Sequence, residues 1–267
     1  MSIFNIIFVI LALGILLGVS SRAVKSGRLS PETGRKAVHV GMGLICMSFP
    51  WIFDSVLSVQ ILGIIAVAIN IIVRMSSLKD SLGSSLFSVQ RLSIGELLFP
   101  IAVAWLFTLN FSGDEKPVVF YIIPLLLLTL ADTAGAVAGI RFGKLIYKTS
   151  SGQKSVEGSL AFFAVSLLCT FIPLIFFTPL AFTHILYLSI TVALFITAVE
   201  GASGMGMDNL LIPLGAYFLL DYYHDFTTSS MWIRAISLLA LLALLVFTRR
   251  KHSLNGGAVL TAALLCF

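Results

Sequence analysis

Charged residues are scarce in this chain, at 11% of its 267 residues, while 58% of the residues are hydrophobic. This balance, with a mean hydropathy of +1.06, excludes a soluble globular domain. Several apolar runs approach the roughly twenty residues that a helix needs to cross a hydrocarbon core about 30 Å thick. The runs are continuous, which argues against the alternating strands of a membrane barrel. The sequence therefore predicts an all-α, polytopic bundle of transmembrane helices.

Cysteines are also few, and Cys46, Cys169 and Cys266 each stand alone in apolar sequence. Their spacing fits neither a zinc site nor a disulfide framework, so we interpret them as small buried side chains. No linker or low-complexity segment interrupts the chain, and we expect a single integral membrane domain over 1–267. The first segment, 3–19, lacks the basic start and cleavage site of a signal peptide, which predicts a retained helix. The last, 256–267, is too short to span, and we expect it to be truncated or to dip into the bilayer.

The apolar runs predict about nine or ten spans. The distribution of basic residues, given below, predicts that the amino terminus lies outside. The predicted spans are 2–20, 37–53, 56–73, 94–111, 118–140, 157–178, 183–200, 209–220 and 231–248, with a tenth beginning near 256. Counted on alternate sides, fifteen of the seventeen lysines and arginines share one face, which the positive-inside rule makes cytoplasmic. Topology and anionic headgroups therefore explain the net charge of +5, and no nucleic-acid partner is expected.

A first polar cluster stands at the entry to the second predicted span. Arg35, Lys36 and His39 are spaced so that they share one side of a helix. Arg35 and Lys36 are interpreted mainly as interfacial anchors, with phosphate binding by Lys36 as the functional alternative. An imidazole at the start of an apolar span usually has a specific partner, so His39 is a candidate catalytic residue as well as a candidate structural one.

A second cluster, Arg91 to Glu96, opens the fourth predicted span. Ser93 and Glu96 have the spacing of a capping box, in which each side chain bonds a free backbone N–H of the other residue. This structural interpretation is favoured over a place for Glu96 in a polar cavity.

The third cluster begins inside the fifth predicted span with a stripe of small residues, defined here as Ala131, Gly135, Gly139 and Gly143. Recurrence every four residues allows another helix to pack closely against the stripe. Asp132 lies beside it, where an unpaired carboxylate in lipid would be costly. Asp132 must therefore meet a base, a metal ion or water.

Positive charge follows Asp132 closely in the loop 141–155. The bases are Arg141, Lys144, Lys148 and Lys154, more than a single aspartate requires in a structural ion pair. Such a surplus favours binding of a phosphate chain that is carried with Mg²⁺. Ser155 to Gly158 opens the next predicted span, where free N–H groups and the positive end of the helix dipole favour phosphate. Glu157 lies in the same turn.

The fourth cluster, Glu200 to Asn209, joins the seventh and eighth predicted spans. Its glycines permit a tight turn, and Asp208 alone would serve as a cap for the next helix. The functional alternative is that Glu200, Asp208 and Asn209 supply hard oxygen ligands for Mg²⁺ beside Asp132. We weigh these two interpretations equally.

Together these residues resemble the phytol kinase and dolichol kinase group of integral membrane lipid kinases. The resemblance covers roughly 30–220 and rests on four motifs in order. They are Arg-Lys-x-x-His-x-x-x-Gly at 35–43, Asp-x-x-Ala/Gly followed by Gly-x-x-Phe-Gly-Lys at 132–144, Lys-Ser-x-Glu-Gly-Ser at 154–159, and Glu followed by Asp-Asn-x-x-x-Pro at 200–213. Val156 departs from the tryptophan that is usual in the group.

The resemblance implies transfer of a phosphoryl group from CTP to the hydroxyl of an isoprenoid or polyprenol-type lipid alcohol, with the active site on the cytoplasmic side. Mg²⁺ would be held by Asp132 and Asp208, with Glu200 and Asn209. The phosphates would meet Arg141, Lys144, Lys154, Ser155 and Lys36. Glu157, Asp132 or His39 would orient the attacking hydroxyl, and the apolar tail would lie between spans along the stripe of small residues.

Two alternatives remain open. The related phosphatidate cytidylyltransferases share the Asp and Lys-Ser-x-Glu-Gly region but end in another motif, which this chain lacks. A transporter would use the same carboxylates for ions, yet no internal repeat is visible. No Walker glycine loop indicates an ordinary ATP site. The sequence leaves open which alcohol is the substrate and whether the chain forms a homo-oligomer.

Overall fold

The computed structural model describes residues 3–75, 94–113, 116–149 and 152–224, with several helical positions between 232 and 243. Over these residues the chain is helical apart from one two-stranded hairpin, which confirms the all-α prediction. Its contacts divide the chain into two compact units, Met1–Tyr121 and Ile122–Phe267, which are described in turn.

The first unit holds α1 to α5, at Ile3–Lys25, Pro31–Met47, Phe49–Ile52, Val56–Met75 and Gly95–Phe111. Helix α1 packs on α2 and α4, and α4 packs on α5. Helix α2 begins where Ser30 accepts a hydrogen bond from the Thr33 backbone N–H, with Pro31 at the first helical position. Such a cap contributes about 1 kcal/mol to a helix. Large apolar side chains such as Phe4, 77% exposed, cover the outer face of α1.

The second unit begins within one continuous helix. Helix α6 (Val119–Leu126), a π turn (Leu127–Ala131) and α7 (Asp132–Phe142) follow one another without a break. Then come strands β1 (Ile146–Thr149) and β2 (Gly152–Ser155), and helices α8 (Val156–Phe177), α9 (Phe182–Ala202) and α10 (Asp208–Tyr223). Helix α8 packs against α7, α9 and the π turn, and α10 packs against α9 and the π turn.

Five described helices are long and apolar enough to cross a membrane, at Ile3–Lys25, Val56–Met75, Val119–Phe142, Val156–Phe177 and Phe182–Ala202. They match the predicted spans 2–20, 56–73, 118–140, 157–178 and 183–200. Helix α5 matches the predicted span 94–111 to within one residue and α10 contains the predicted span 209–220, whereas α2 matches 37–53 only in part. The multi-pass prediction is confirmed, and the placement of the amino terminus stays a prediction. The described positions between 232 and 243 are helical, and the rest of the spans predicted from 231 onward lies outside the described residues.

One predicted span needs correction, and the capping-box prediction falls partly outside the described residues. The span 37–53 is broken, because α2 ends at Met47 and only the four-residue α3 follows it. Pro50 in α3 lacks a backbone N–H and cannot continue the ladder of α2. Helix α5 begins at Gly95 with Ile94 at its amino-terminal cap, and Ile94 makes no side-chain cap bond. Ser93 and Arg91 lie outside the described residues.

Candidate active site

Residues 141–155, expected to form a loop, contain the antiparallel hairpin of β1 and β2. Ile146, Tyr147 and Thr149 are β-branched or aromatic residues that favour strands, so this loop prediction was wrong. The register pairs Tyr147 directly with Lys154. Directly paired side chains point to the same face of a sheet, so Tyr147 and Lys154 share one face.

The hairpin leads directly into α8. Ser155 is buried at the amino-terminal cap of α8, and its side chain accepts a hydrogen bond from the Gly158 backbone N–H at 3.1 Å. The Val156 N–H donates to the Leu145 carbonyl at 2.9 Å, which ties the start of the helix to the start of the hairpin. The predicted helix start at Ser155 is therefore confirmed, while phosphate binding by Ser155 stays a prediction.

Lys154 makes a long-range ion pair with Glu200, 46 residues away at the carboxyl-terminal end of α9. Its Nζ lies 2.6 Å from Glu200 Oε1 and also donates to the Glu200 backbone carbonyl. The side chains are only 22% and 16% exposed. A structural ion pair of Asp132 with Arg141 or Lys154 was the alternative to phosphate binding by these bases, and in the structure Lys154 pairs with Glu200.

Two further carboxylates act electrostatically on this ion pair. Asp132, the first residue of α7, and Asp208, the first residue of α10, both interact electrostatically with Glu200. Asp132 is placed by the π turn, because its N–H donates to the Leu127 carbonyl five residues earlier. Such turns recur at functional sites in helices. Three predicted metal ligands thus belong to one acidic cluster, defined here as Asp132, Glu200 and Asp208.

The carboxylate oxygens of the acidic cluster are the kind of ligand that a hard divalent cation binds. Glu200 Oε1 is used by Lys154, whereas Glu200 Oε2 is buried and has no hydrogen-bond partner among the described residues. Carboxylate oxygens are the ligand type that Mg²⁺ prefers, and Asp132 and Asp208 both interact electrostatically with Glu200. Within the described ranges, however, no three acidic, histidine or cysteine side chains are grouped closely enough to hold an ion. The ligands would have to move together to bind one.

The segment between α9 and α10 is a tight turn. Met205 (φ 54°) and Gly206 (φ 88°) both adopt the left-handed backbone region, which is uncommon for a residue other than glycine. Asp208 Oδ1 accepts a hydrogen bond from the Asn209 backbone N–H at 3.0 Å. The turn thus brings Asp208 back towards Glu200, and metal binding by Asn209 stays a prediction.

The stripe of small residues is a packing surface for α8. A Cβ atom added at Gly135 would lie 3.1 Å from the Phe162 Cβ, and one added at Gly139 would lie 3.2 Å from the Ser155 Oγ. The prediction of close helix packing is confirmed. The expectation that the stripe leaves room for a lipid tail is wrong, because α8 occupies that space.

Other predicted residues lie at the base of the hairpin. The carboxylate of Glu157 accepts from the Leu145 N–H at 3.1 and 3.3 Å, and Lys144 interacts with it electrostatically. The Arg141 guanidinium lies 5.6 Å from the ring centre of Phe142. These contacts give Glu157 a structural task, and the predicted chemical roles of Glu157, Lys144 and Arg141 are neither confirmed nor contradicted.

The residues of the first cluster belong to the first unit. Arg35 forms an ion pair with Glu32 at 2.7 Å, and the His39 ring meets the Phe99 ring edge-on at 5.8 Å. Lys36 lies in the same helix, α2. A place for His39 and Lys36 beside the acidic cluster of the second unit stays a prediction.

Tyr147 was missed by the sequence analysis. Its hydroxyl lies 2.7 Å from the Ser159 Oγ, and its phenol interacts electrostatically with Glu200. The signal was incomplete, because Ile146, Tyr147 and Thr149 favour a strand whereas Gly152, Gln153 and Lys154 do not. The pairing of Tyr147 with Lys154 is visible only in the hairpin itself.

Comparison with known proteins identifies relatives of this chain. No family model and no solved structure matches it. It is 32% identical to the phytol kinase of Synechocystis sp. over 190 residues, 70% of this chain and 78% of that protein. It is 26% identical to the dolichol kinase of Saccharomyces cerevisiae over 208 residues, 74% of this chain but only 38% of the yeast protein. The identity to the first relative extends over most of both chains, and the protein therefore belongs to the phytol kinase and dolichol kinase family.

Proposed function

We propose that this protein is a kinase that transfers the γ-phosphoryl group of CTP to the hydroxyl of a long isoprenoid alcohol, at the cytoplasmic face of its membrane. The observation that carries the proposal is the half-buried ion pair of Lys154 and Glu200, held between the start of α8 and the remaining carboxylates of the acidic cluster. Membership of the family supplies the class of reaction.

Lys154 and the start of α8 are suited to binding the phosphate chain of a nucleotide. Lys154 presents a point charge directly before the first turn of α8, where the positive end of the helix dipole favours an anion. Because Lys154 is already bound to Glu200, phosphate oxygens would take the place of the Glu200 carboxylate on its ammonium group. Glu200 would then be released towards the cation that accompanies the nucleotide.

The acidic cluster suits that cation. When bound by Asp132, Asp208 and Glu200, Mg²⁺ would supply charge neutralisation on the phosphate oxygens. Asp132 is also the favoured group to orient the acceptor hydroxyl. It begins the 11-residue helix α7 and interacts electrostatically with Glu200, the partner of Lys154. Glu157 is less suited, since its carboxylate accepts from the Leu145 N–H.

The reaction is tested with membranes that contain the protein, a panel of lipid alcohols, and CTP labelled in parallel on the γ- or the α-phosphate. Label that enters lipid from the γ position alone supports the proposal, and the alcohol that accepts it names the substrate. Label from the α position with phosphatidate as acceptor makes the protein a cytidylyltransferase. Failure of both labels in folded protein overturns the proposal, and ATP or GTP competition decides the nucleotide.

The hairpin offers a matched pair of variants for this assay. Lys154 and Lys148 lie on opposite faces of the hairpin, and Lys148 is exposed. We expect Lys154→Met to lose at least about a hundredfold in turnover, by analogy with the loss of one charge-stabilising donor. Lys148→Met removes the same charge from the same hairpin and should retain activity. Equal activity in the two variants would remove Lys154 from the site.

The cytoplasmic placement rests on the excess of bases on one side and needs its own measurement. Lys144 is exposed, so a membrane-impermeant amine reagent can reach it from one side only. In sealed vesicles of known orientation, labelling of Lys144 from the cytoplasmic side supports the placement. Labelling from the opposite side would reverse the predicted topology.

A further inference from the structure

Tyr147 makes a contact that the proposed chemistry does not use. The phenol is half-buried, and its hydroxyl bonds the Ser159 Oγ at 2.7 Å in the second turn of α8. Lys154 is its direct partner across the hairpin. The Tyr147–Ser159 bond therefore joins the hairpin face that carries Lys154 to the helix whose start is expected to meet phosphate.

The hairpin needs such a bond. Each strand has four residues, and an isolated two-stranded hairpin is marginally stable in water. Its contacts with α8 at the base run through Leu145, which bonds Val156 and Glu157. These bonds hold the end of the hairpin but do not fix the orientation of the Lys154 face. The Tyr147–Ser159 bond attaches that face to α8, whereas the Lys154–Glu200 ion pair joins it to α9.

The phenol of Tyr147 is uncharged, which suits it to attaching the hairpin to α8. Burial raises the pKa of Tyr147, the hydrogen bond with Ser159 opposes that increase, and the negative charge of Glu200 adds to it. The phenol is therefore protonated at physiological pH and remains uncharged beside both Lys154 and Glu200. A neutral hydroxyl can hold the hairpin without competing with Glu200 for the ammonium group of Lys154.

We propose that Tyr147 is a positioning residue: its hydrogen bond to Ser159 fixes the hairpin face that carries Lys154 and so sets Lys154 for the phosphate chain of the nucleotide. The inference rests on the proposed function for the identity of the ligand. The placement of Lys154 by Tyr147 can be measured without any substrate.

The first test is the rate at which Lys154 is acylated in the purified full chain without nucleotide, followed by mass spectrometry. Loss of one hydrogen bond predicts a rise of about five- to tenfold in Tyr147→Phe, which keeps the aromatic ring. Ser159→Ala should give a similar rise, and the double variant should add little to either single variant. Lys148, on the other face, is the internal control, and Tyr222→Phe, at an exposed position of α10, is the matched substitution.

Three results would overturn the inference. Lys154 acylation in Tyr147→Phe could stay within about twofold of the original protein. Lys148 and Lys154 could become reactive together, which would mean that the whole hairpin has opened. The effects of Tyr147→Phe and Ser159→Ala could also simply add, which would mean that the bond does not join them.

The second test separates this inference from the proposed function. In the lipid kinase assay, Tyr147→Phe should raise the KM for nucleotide about five- to tenfold and leave the KM for the alcohol unchanged. If the original protein shows no kinase activity, the proposed function fails and acylation alone decides the role of Tyr147. If the kinase is active and both the nucleotide KM and Lys154 acylation are unchanged, only the role of Tyr147 fails.

Discussion

Gly158→Ala should disturb the site by crowding the contact between α8 and α7, and also the Ser155 cap, whose Oγ would lie 3.0 Å from the added Cβ atom. Gly158 lies in the first turn of α8, where that helix crosses α7. A Cβ atom there would lie 2.9 Å from the Gly135 carbonyl oxygen and 3.2 Å from the Gly139 Cα. Both are backbone atoms that cannot rotate away. Because ordinary contacts begin near 3.4 Å, the two helices must separate by roughly half an ångström.

The size of the effect follows from that separation. Overpacking of a close helix contact costs about 1–3 kcal/mol, and the better helix propensity of alanine returns up to about 1 kcal/mol. The expected net loss of stability is about 1–2 kcal/mol, or a few degrees in Tm for a chain of this length. Asp132 is carried by α7 and Lys154 precedes α8. Since a misplacement of about 1 Å can cost a hundredfold, we expect roughly a tenfold loss of turnover.

The assay pairs thermal unfolding in detergent with transfer of the γ-label to lipid. Gly18→Ala is the control, because no described atom lies within 4 Å of a Cβ atom built at that position of α1. That variant should be as stable as the original protein or slightly more stable, with unchanged activity. Full activity and an unchanged Tm in Gly158→Ala would refute the packing argument. Equal losses in both variants would point to a general effect of alanine in these helices.

Three further predictions concern charge at the site. Asp132→Asn should abolish turnover and leave membrane insertion and Tm unchanged; normal activity would remove Asp132 from the mechanism. Lys154→Met and Glu200→Gln should each cost about 1–3 kcal/mol, less than for a fully buried pair because both side chains are partly exposed. The double variant should cost less than the sum in thermal unfolding, and strict additivity would contradict the ion pair. Since burial raises the pKa of Tyr147, Tyr147→Phe should leave the shape of the pH profile of kcat unchanged between about pH 6 and 9, and a shifted profile would indicate proton transfer by the phenol.

The apolar helices could be predicted because hydropathy is a local property of the chain. Spans such as 56–73 and 183–200 differ from the observed helices by only a few residues. The start of α8 was also readable, since Ser155 has the residue type and position of a cap. Local signals failed where a proline broke a long apolar run, and where a short hairpin resembled a loop.

The partners of the charged residues could not be predicted in the same way. Lys154 precedes α8 and Glu200 ends α9, and nothing in the intervening sequence specifies that they meet. Asp132 seemed closer to the bases of its own loop, yet Lys154 pairs with Glu200. Which carboxylate pairs with Lys154 depends on how the ends of the helices pack. The sequence shows only which acidic residues are available for that pair.

The sequence by itself determined the membrane class, most of the helices and the residue types that gather at the site. Hydrophobic length and charge distribution act on each segment separately, so they can be read without the fold. The tertiary structure determines that α8 packs against the stripe of small residues and that Tyr147 shares a face of the hairpin with Lys154. It also decided that Glu200 holds that lysine. The helix contact and the ion pair join distant segments, and the face shared by Tyr147 and Lys154 depends on the register of the hairpin, so none of them can be read from one segment alone.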